Sequence, residues 1–185
     1  MNSKDDPCKK IFQELVDDGC IVASHFIEAS SECDYFKAVH YGIQYNPKMC
    51  DLNENSIRFS LLHEESHNRH PYQTSLFFAF SSLSFIFMTY FLMVSSIVNI
   101  IILLPALLII IFSLAIGFKR GEEYGCDEFA AKVIRDTLQS PELPSKILMK
   151  TLEKMHYKNW VSVIVHPSHK NRVAYIVKTV DKTNY

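Results

Sequence analysis

The sequence predicts a mainly helical fold with a small sheet (α+β), a single domain over residues 1–185 interrupted by a transmembrane helical hairpin. Three observations lead there. No Asp, Glu, Lys, Arg or His occurs from Pro71 to Phe118. On both sides of that tract, apolar residues recur at the three- and four-residue spacing of amphipathic helices. One stretch, around residues 38–45, alternates with the period of two expected of a half-buried strand.

Taken in order, residues 9–18 (KKIFQELVDD) form a short amphipathic helix that Gly19 stops. Val39, Tyr41, Ile43 and Tyr45 alternate with His40, Gly42 and Gln44, which predicts one strand ended by Asn46-Pro47. Asn55 or Ser56 is placed to cap a helix that begins at Ile57, runs through Leu61, Leu62 and His67, and closes at Pro71.

The uncharged tract follows. A bilayer core of about 30 Å needs about 20 apolar residues per helix, so the tract supplies two, near residues 75–94 and 97–118. Ser95, Ser96 and Asn99 mark the connection, and Pro105 lies inside the second helix. A buried helix of a soluble domain keeps a polar face, and neither segment has one. Arg69 precedes the hairpin and Lys119-Arg120 follow it, while the connection is uncharged. The positive-inside rule then puts both flanks, both termini and any site they share in the cytoplasm. A lone hairpin leaves a homo-oligomer open, although no small-xxx-small stripe compels one.

Beyond the hairpin, Gly121–Leu138 reads as a helix with Phe129, Ala130, Val133 and Ile134 on its apolar side. Ser145–Met155 carries Ile147, Leu148, Leu152 and Met155 at helical spacing. VSVIV at 161–165 is a short buried strand or extended segment, and a last helix holds Val173, Ile176 and Val177.

Bulk properties exclude several classes. The formal net charge of −1 over 185 residues, with no basic run, argues against a nucleic-acid partner. Five cysteines, odd in number and without a CxxC pair, argue against a disulfide framework and a cysteine-rich zinc knuckle, and suit reduced thiols in a cytosolic domain. The N-terminus, MNSKDDPCKK, is polar and leads into no apolar core of a secretory signal.

The chemistry centres on His63-Glu64-Glu65-Ser66-His67, an HExxH, which this composition produces about 0.02 times by chance. Residues four apart share one face of a helix, so both imidazoles can meet one Zn²⁺. Glu64, beside the first histidine, is placed to take a proton from a water held there. Such a site needs a third protein ligand. Glu123 and Asp127, also four apart, supply a carboxylate that can bind the metal and another that can orient a ligating imidazole. A hairpin returns the chain to where it left, so the two motifs can meet across it.

HExxH, an intervening apolar stretch, ExxxD, and the later His166-Pro167-Ser168-His169-Lys170-Asn171-Arg172 together resemble the M48 peptidases, integral-membrane zinc proteases of the HtpX type. The resemblance spans about residues 40–178. It implies a zincin, gluzincin-like metallopeptidase core of helices and a small sheet, one zinc per chain bound by His63, His67 and Glu123, and Glu64 as general base. Three departures stand out. Glu65 replaces a usual apolar residue, so that face of the helix is expected to be less buried. Cys126 replaces a small residue. One hairpin stands where relatives of the HtpX type have four transmembrane segments. Peptide hydrolysis also needs a donor for the developing oxyanion. His166 and Arg172 are the catalytic candidates, the alternative being that both hold the fold through Asp127 or a helix end. The remaining histidines, His25, His40, His156 and His169, read as surface or satisfied core, and His70 as an interfacial residue.

The predicted activity is a membrane-embedded zinc endopeptidase hydrolysing membrane or membrane-proximal proteins, with a protein or peptide substrate and the lipid bilayer as partners and the cell membrane as its location. A signalling protease with one dedicated regulator would call for an extracellular sensing domain, for which the sequence offers no segment. A catalytically silent protein kept for binding or assembly has no need of Glu64.

Overall fold

The computed structural model describes residues 6–69, 82–90, 97–155 and 166–184. Helix α1 (Pro7–Asp17) starts at Asp6, whose Oδ1 accepts from the backbone N–H of Cys8 at 3.0 Å and of Lys9 at 3.3 Å. An N-cap of this kind satisfies donors that the first helical turn leaves without partners. Gly19 ends the helix at φ +70°, in the left-handed region where a Cβ is penalised.

Three strands follow: β1 (Phe26–Ala29), β2 (Phe36–Val39) and β3 (Gly42–Tyr45), in the order β1-β3-β2. β1 is parallel to the central β3, and β2 is antiparallel to it. The single strand expected over 38–45 is therefore a hairpin. Tyr41 turns it at φ 59°. The two-residue turn pairs Ala38 with Ile43 and Val39 with Gly42, so Phe36 and Ala38 share a face with Ile43 and Tyr45 while Val39 faces the other way. Apolar residues at every odd position from 39 to 45 hid that change of phase. β1 escapes the sequence because three of its four residues are exposed and it shows no alternation. Gly42 pairs with Phe26 of β1, whose ring would stand 2.8 Å from a Cβ there and would have to move aside.

After a 3₁₀ turn (Pro47–Asp51), helix α2 (Glu54–Arg69) begins earlier than expected. The cap is Asn53, whose Oδ1 accepts from the Ser56 N–H at 2.8 Å, not Asn55 or Ser56. α2 is the centre of the domain, packed against α1, β2, β3, α4 (Ile97–Lys132) and α5 (Pro144–Lys154). Ile57, Leu61 and Leu62 are fully buried, and Ile43, Ile147, Leu152 and Ile176 complete the core around them. Helix α6 (His169–Thr179) starts at Ser168, which caps it through the Asn171 N–H at 3.3 Å.

Residues 82–90 form helix α3, which falls within the first predicted span. The second hairpin helix and the Gly121–Leu138 helix, expected as separate elements, are one 36-residue helix, α4, with Pro105 inside it. It gives way to a single π turn at Val133–Thr137. No residue near 118–121 removes a backbone donor, and Lys, Arg and Glu are good helix formers, so nothing breaks the ladder. Large apolar side chains are bare along both helices: Phe87 is 67% exposed and Ile109 is 66% exposed. Over the residues whose side chains are described, no helix is long and apolar enough to cross a membrane. The start of the first predicted span, the connection at 91–96, residues 161–165, His70 and His156 lie outside the described residues. Gly117, Gly121 and Gly125 each face open space along α4, a small-residue stripe at the end of the apolar segment that the sequence reading did not register.

Glu65 reverses an expectation. It is fully buried, so this face of α2 is packed and polar, not less buried. Its carboxylate accepts from the Val22 N–H at 3.3 Å and from Arg69 Nε at 2.9 Å, and meets His25 Nδ1 at 2.8 Å. Arg69 Nη2 continues the network to Cys20 O at 2.7 Å. The network pins the loop after α1 to the central helix. Removing one member of a buried charged network strands the others. Glu65→Ala is expected to cost about 3 kcal/mol in denaturant unfolding, with Glu65→Gln losing less; an unchanged midpoint for Glu65→Ala would contradict this account.

Candidate metal centre

α2 and α4 pack with their functional residues in facing rows that run in opposite directions. His63 lies across from Asp127, with Nδ1 3.0 Å from Oδ1. One turn later, His67 lies across from Glu122, with Nδ1 2.8 Å from Oε1. His63 and His67 are four apart and share one face of α2, whereas Asp127 and Glu122 are five apart and stand on either side of Glu123 along α4. Each imidazole thereby has its Nδ1 engaged by a carboxylate, which fixes the ring and turns Nε2 toward the space between the rows.

Glu123 occupies that space. Its Oε2 lies 3.6 Å from His63 Nε2 and its Oε1 lies 3.7 Å from His67 Nε2. One ligand atom from each of His63, His67 and Glu123 can be chosen so that all three lie within 4.8 Å of one another. A tetrahedral zinc with bonds of about 2.0–2.2 Å separates its ligand atoms by about 3.3–3.6 Å. The observed spacing fits that group, and two imidazoles with one carboxylate are a donor set suited to it. The choice that spacing left open is made here: Glu123 reaches the centre, while Asp127 stands behind His63.

The electrostatics point the same way. Burial works against a charged His63, yet hydrogen bonds to Asp127 and Glu123 raise its pKa from 6.5 to about 10. Burial also works against ionised Glu123, but His166, His63 and Arg172 outweigh it and hold the carboxyl well below 4.5. The hydrogen bond from His67, with Lys119 in support, lowers Glu122 from 4.5 to about 2 against the opposing effect of burial. The ionised carboxylates favour positive charge between them, a proton on His63 as well as a metal ion.

Arg172, reached from α6, is buried and bidentate to Asp127, with Nε to Oδ2 at 2.7 Å and Nη2 to Oδ1 at 2.6 Å. Its Nη1 stands 3.6 Å from Glu123 Oε2. His166 Nδ1 lies 3.3 Å from Glu123 Oε1, and the residue lines the cleft. Glu64 lines it too, and its Oε2 accepts from the Ala38 N–H at 2.7 Å. The cleft, about 850 Å³, runs between β2 and the apolar side chains of Phe59, Leu148 and Leu152. Every residue singled out from the sequence, His63, Glu64, His67, Glu123, Asp127, His166 and Arg172, therefore comes together in or against one site. Glu122 and Lys119 were not anticipated. The doubled glutamate at 122–123 is the one trace they leave, and it does not say which carboxylate faces which imidazole.

The family model described as peptidase family M48 matches residues 36–180. Comparison with the curated proteins and with the solved structures finds no significant match.

Carboxylates that orient metal-binding imidazoles typically contribute 10–100-fold to metal affinity. Glu122→Gln and Asp127→Asn are each expected to weaken zinc binding by about that factor in competition with a chromogenic chelator, and His63→Ala or Glu123→Ala to abolish it. Undiminished affinity in both orienting variants would show that the two carboxylates play no such part.

Proposed function

The chain belongs to peptidase family M48, and from that premise we propose that it is a membrane-embedded zinc endopeptidase that hydrolyses membrane or membrane-proximal proteins. The observation that carries the reading is the convergence of His63, His67 and Glu123 within 4.8 Å, with Glu64 on the same cleft. His63, His67 and Glu123 would hold one zinc per chain. When bound, the metal supplies Lewis-acid polarisation of a water and of the scissile carbonyl.

Glu64 is the general base: its carboxylate takes the proton of the attacking water and passes it to the leaving amine. The Ala38 N–H, which it accepts in this structure, is then free to bind substrate. Asn46 N–H bonds to Tyr35 O on one side of the hairpin, and the ladder alternates from there. Phe36 and Ala38 therefore direct their backbone groups away from β3, along an edge that no strand among the described residues covers. An extended peptide can pair with that edge and so lie beside Glu64. His166 is the oxyanion donor in this reading. Arg172 keeps a positioning role, because its guanidinium is committed to Asp127 and fixes the carboxylate that orients His63.

The membrane reading rests on the uncharged sequence from Pro71 to Phe118 and on the bare apolar side chains of 82–90 and 108–118. A monomer does not ordinarily leave so large an apolar surface in water. α4 joins this segment to Glu123 without interruption, so the site would stand close to the headgroups, on the cytoplasmic side if Arg69, Lys119 and Arg120 set the orientation.

With detergent-purified protein and a model protein substrate, Glu64→Gln is expected to lower kcat by about 10²–10⁴-fold while zinc content stays at the wild-type level. His166→Phe should lower kcat by about 10²–10³-fold with little change in KM. Activity that survives Glu64→Gln would remove Glu64 as the general base, and a wild type that holds zinc but cleaves nothing would end the endopeptidase reading. In cells, alkaline carbonate should leave the chain in the membrane pellet, and labels impermeant to the membrane should fail to reach either terminus from outside. Release by carbonate would remove the hairpin reading.

A further inference from the structure

Away from the metal centre, two thiols meet. Cys8, in the first turn of α1 and fully buried, and Cys50, in the 3₁₀ turn after β3, have their sulfurs 3.2 Å apart. They are 42 residues apart in sequence, and neither lies in a CxxC. A disulfide needs its sulfurs at about 2.04 Å, so an approach of about 1.2 Å would bond them. Both are free in this structure, as are Cys20, Cys33 and Cys126. Cys33 gives its thiol to Tyr35 O at 3.0 Å and Cys20 lies 3.9 Å from Asp18 O, so those two already have oxygen partners.

We propose that Cys8 and Cys50 are a thiol–disulfide exchange site that forms a reversible disulfide with a small-molecule disulfide as oxidant. Cys50, the more accessible of the two, loses its proton to solvent and attacks one sulfur of the oxidant, RSSR. The S–S bond of the oxidant breaks and RS⁻ leaves, giving a mixed disulfide on Cys50. Cys8 then loses its proton and attacks Cys50 Sγ, and the second RS⁻ departs. The two thiols lose two electrons, the oxidant gains them, and the two protons end on two RSH.

The surroundings tolerate that change. Asp6 Oδ1 accepts from the Cys50 thiol at 3.3 Å, and oxidation removes that donor. The Cys8 and Lys9 N–H groups stay on Oδ1, and the Tyr45 hydroxyl stays on Oδ2, so the carboxylate keeps partners on both oxygens. The same cluster of Asp6, Cys8 and Cys50 also meets the distance test for a metal. Two thiolates on a tetrahedral zinc at about 2.3 Å stand about 3.8 Å apart, wider than the contact here, and the chelator arm of the test below separates the two cases. Burial raises both thiols above their ordinary range, so both are neutral S–H groups when reduced, and the exchange speeds up as rising pH supplies thiolate. Once made, the bond would staple α1 to the end of β3 and close a loop holding all three strands, including the β2 edge beside the cleft. Closing such a loop restricts the unfolded chain and stabilises the folded one.

The test uses the purified full-length chain, reduced, freed of reductant and incubated with oxidised glutathione. After denaturation and alkylation, two of the five thiols should be lost to the alkylating agent, and peptide mapping should find Cys8 joined to Cys50. The thermal midpoint should rise and return to its starting value with dithiothreitol. Cys8→Ser and Cys50→Ser should each lose both the link and the rise. Mapping of the wild type does not depend on either variant folding. All five thiols remaining alkylatable, or a link to a different cysteine, would overturn the proposal. Protection lifted by a chelator and not by dithiothreitol would also overturn it, and would identify a thiolate metal centre instead.

Discussion

The antiparallel meeting of two helix faces governs this molecule. α2 and α4 bring His63 opposite Asp127 and His67 opposite Glu122, and that pairing leaves Glu123 between the two Nε2 atoms. A shift of one residue along either helix would rotate the side chains by about 100° and separate every pair at once. The other elements can be understood by how they hold this register. α6 sends Arg172 in to grip Asp127, α5 packs beneath α2, and the sheet covers its other flank.

Buried charge is the second constraint. Ionised groups taken from water need partners, and each one here has them. Asp127 is held by two guanidinium bonds and an imidazole, Glu122 by His67 and Lys119, and Glu123 by His63, His166 and Arg172. On the opposite face of the same helix, Glu65 is closed in by His25, Arg69 and the Val22 amide. The central helix thus carries a polar network on each side of a stripe of Ile57, Leu61 and Leu62. This explains its weak amphipathic pattern: it has no solvent face to mark.

The continuity of α4 couples the apolar segment to the metal centre mechanically. Side chains at 108–118 are bare, while Glu123 and Asp127, fewer than ten residues further along the same helix, are buried. No break in the helix separates the two parts, and Gly117 and Gly121 lie between them. In this structure the site stands within a few turns of the apolar part of the helix.

Much of this was legible in the sequence, for physical reasons. Residues four apart on a helix share a face whatever surrounds them, so His63 with His67 and Glu123 with Asp127 were visible as pairs. The uncharged tract, the α1 boundary at Gly19 and the apolar stripes of α5 and α6 are local signals of the same kind. Where the signal was local but ambiguous, the reading failed. A two-residue turn at His40-Tyr41 shifts the phase of the strand, but apolar Val39 and Tyr41 continue the odd-numbered pattern across it, and β1 has no buried face to alternate. Glu65 looked like an exposed charge because its partners, His25 and Val22, lie 40 and 43 residues away. What the sequence determined by itself was which residues could be brought together as a candidate site, since that follows from residue type and helical periodicity. Which carboxylate reaches the centre, which ones orient the imidazoles, that Arg172 grips Asp127, and that Cys8 meets Cys50 were decided only by tertiary structure, because each depends on the register between elements distant in the chain.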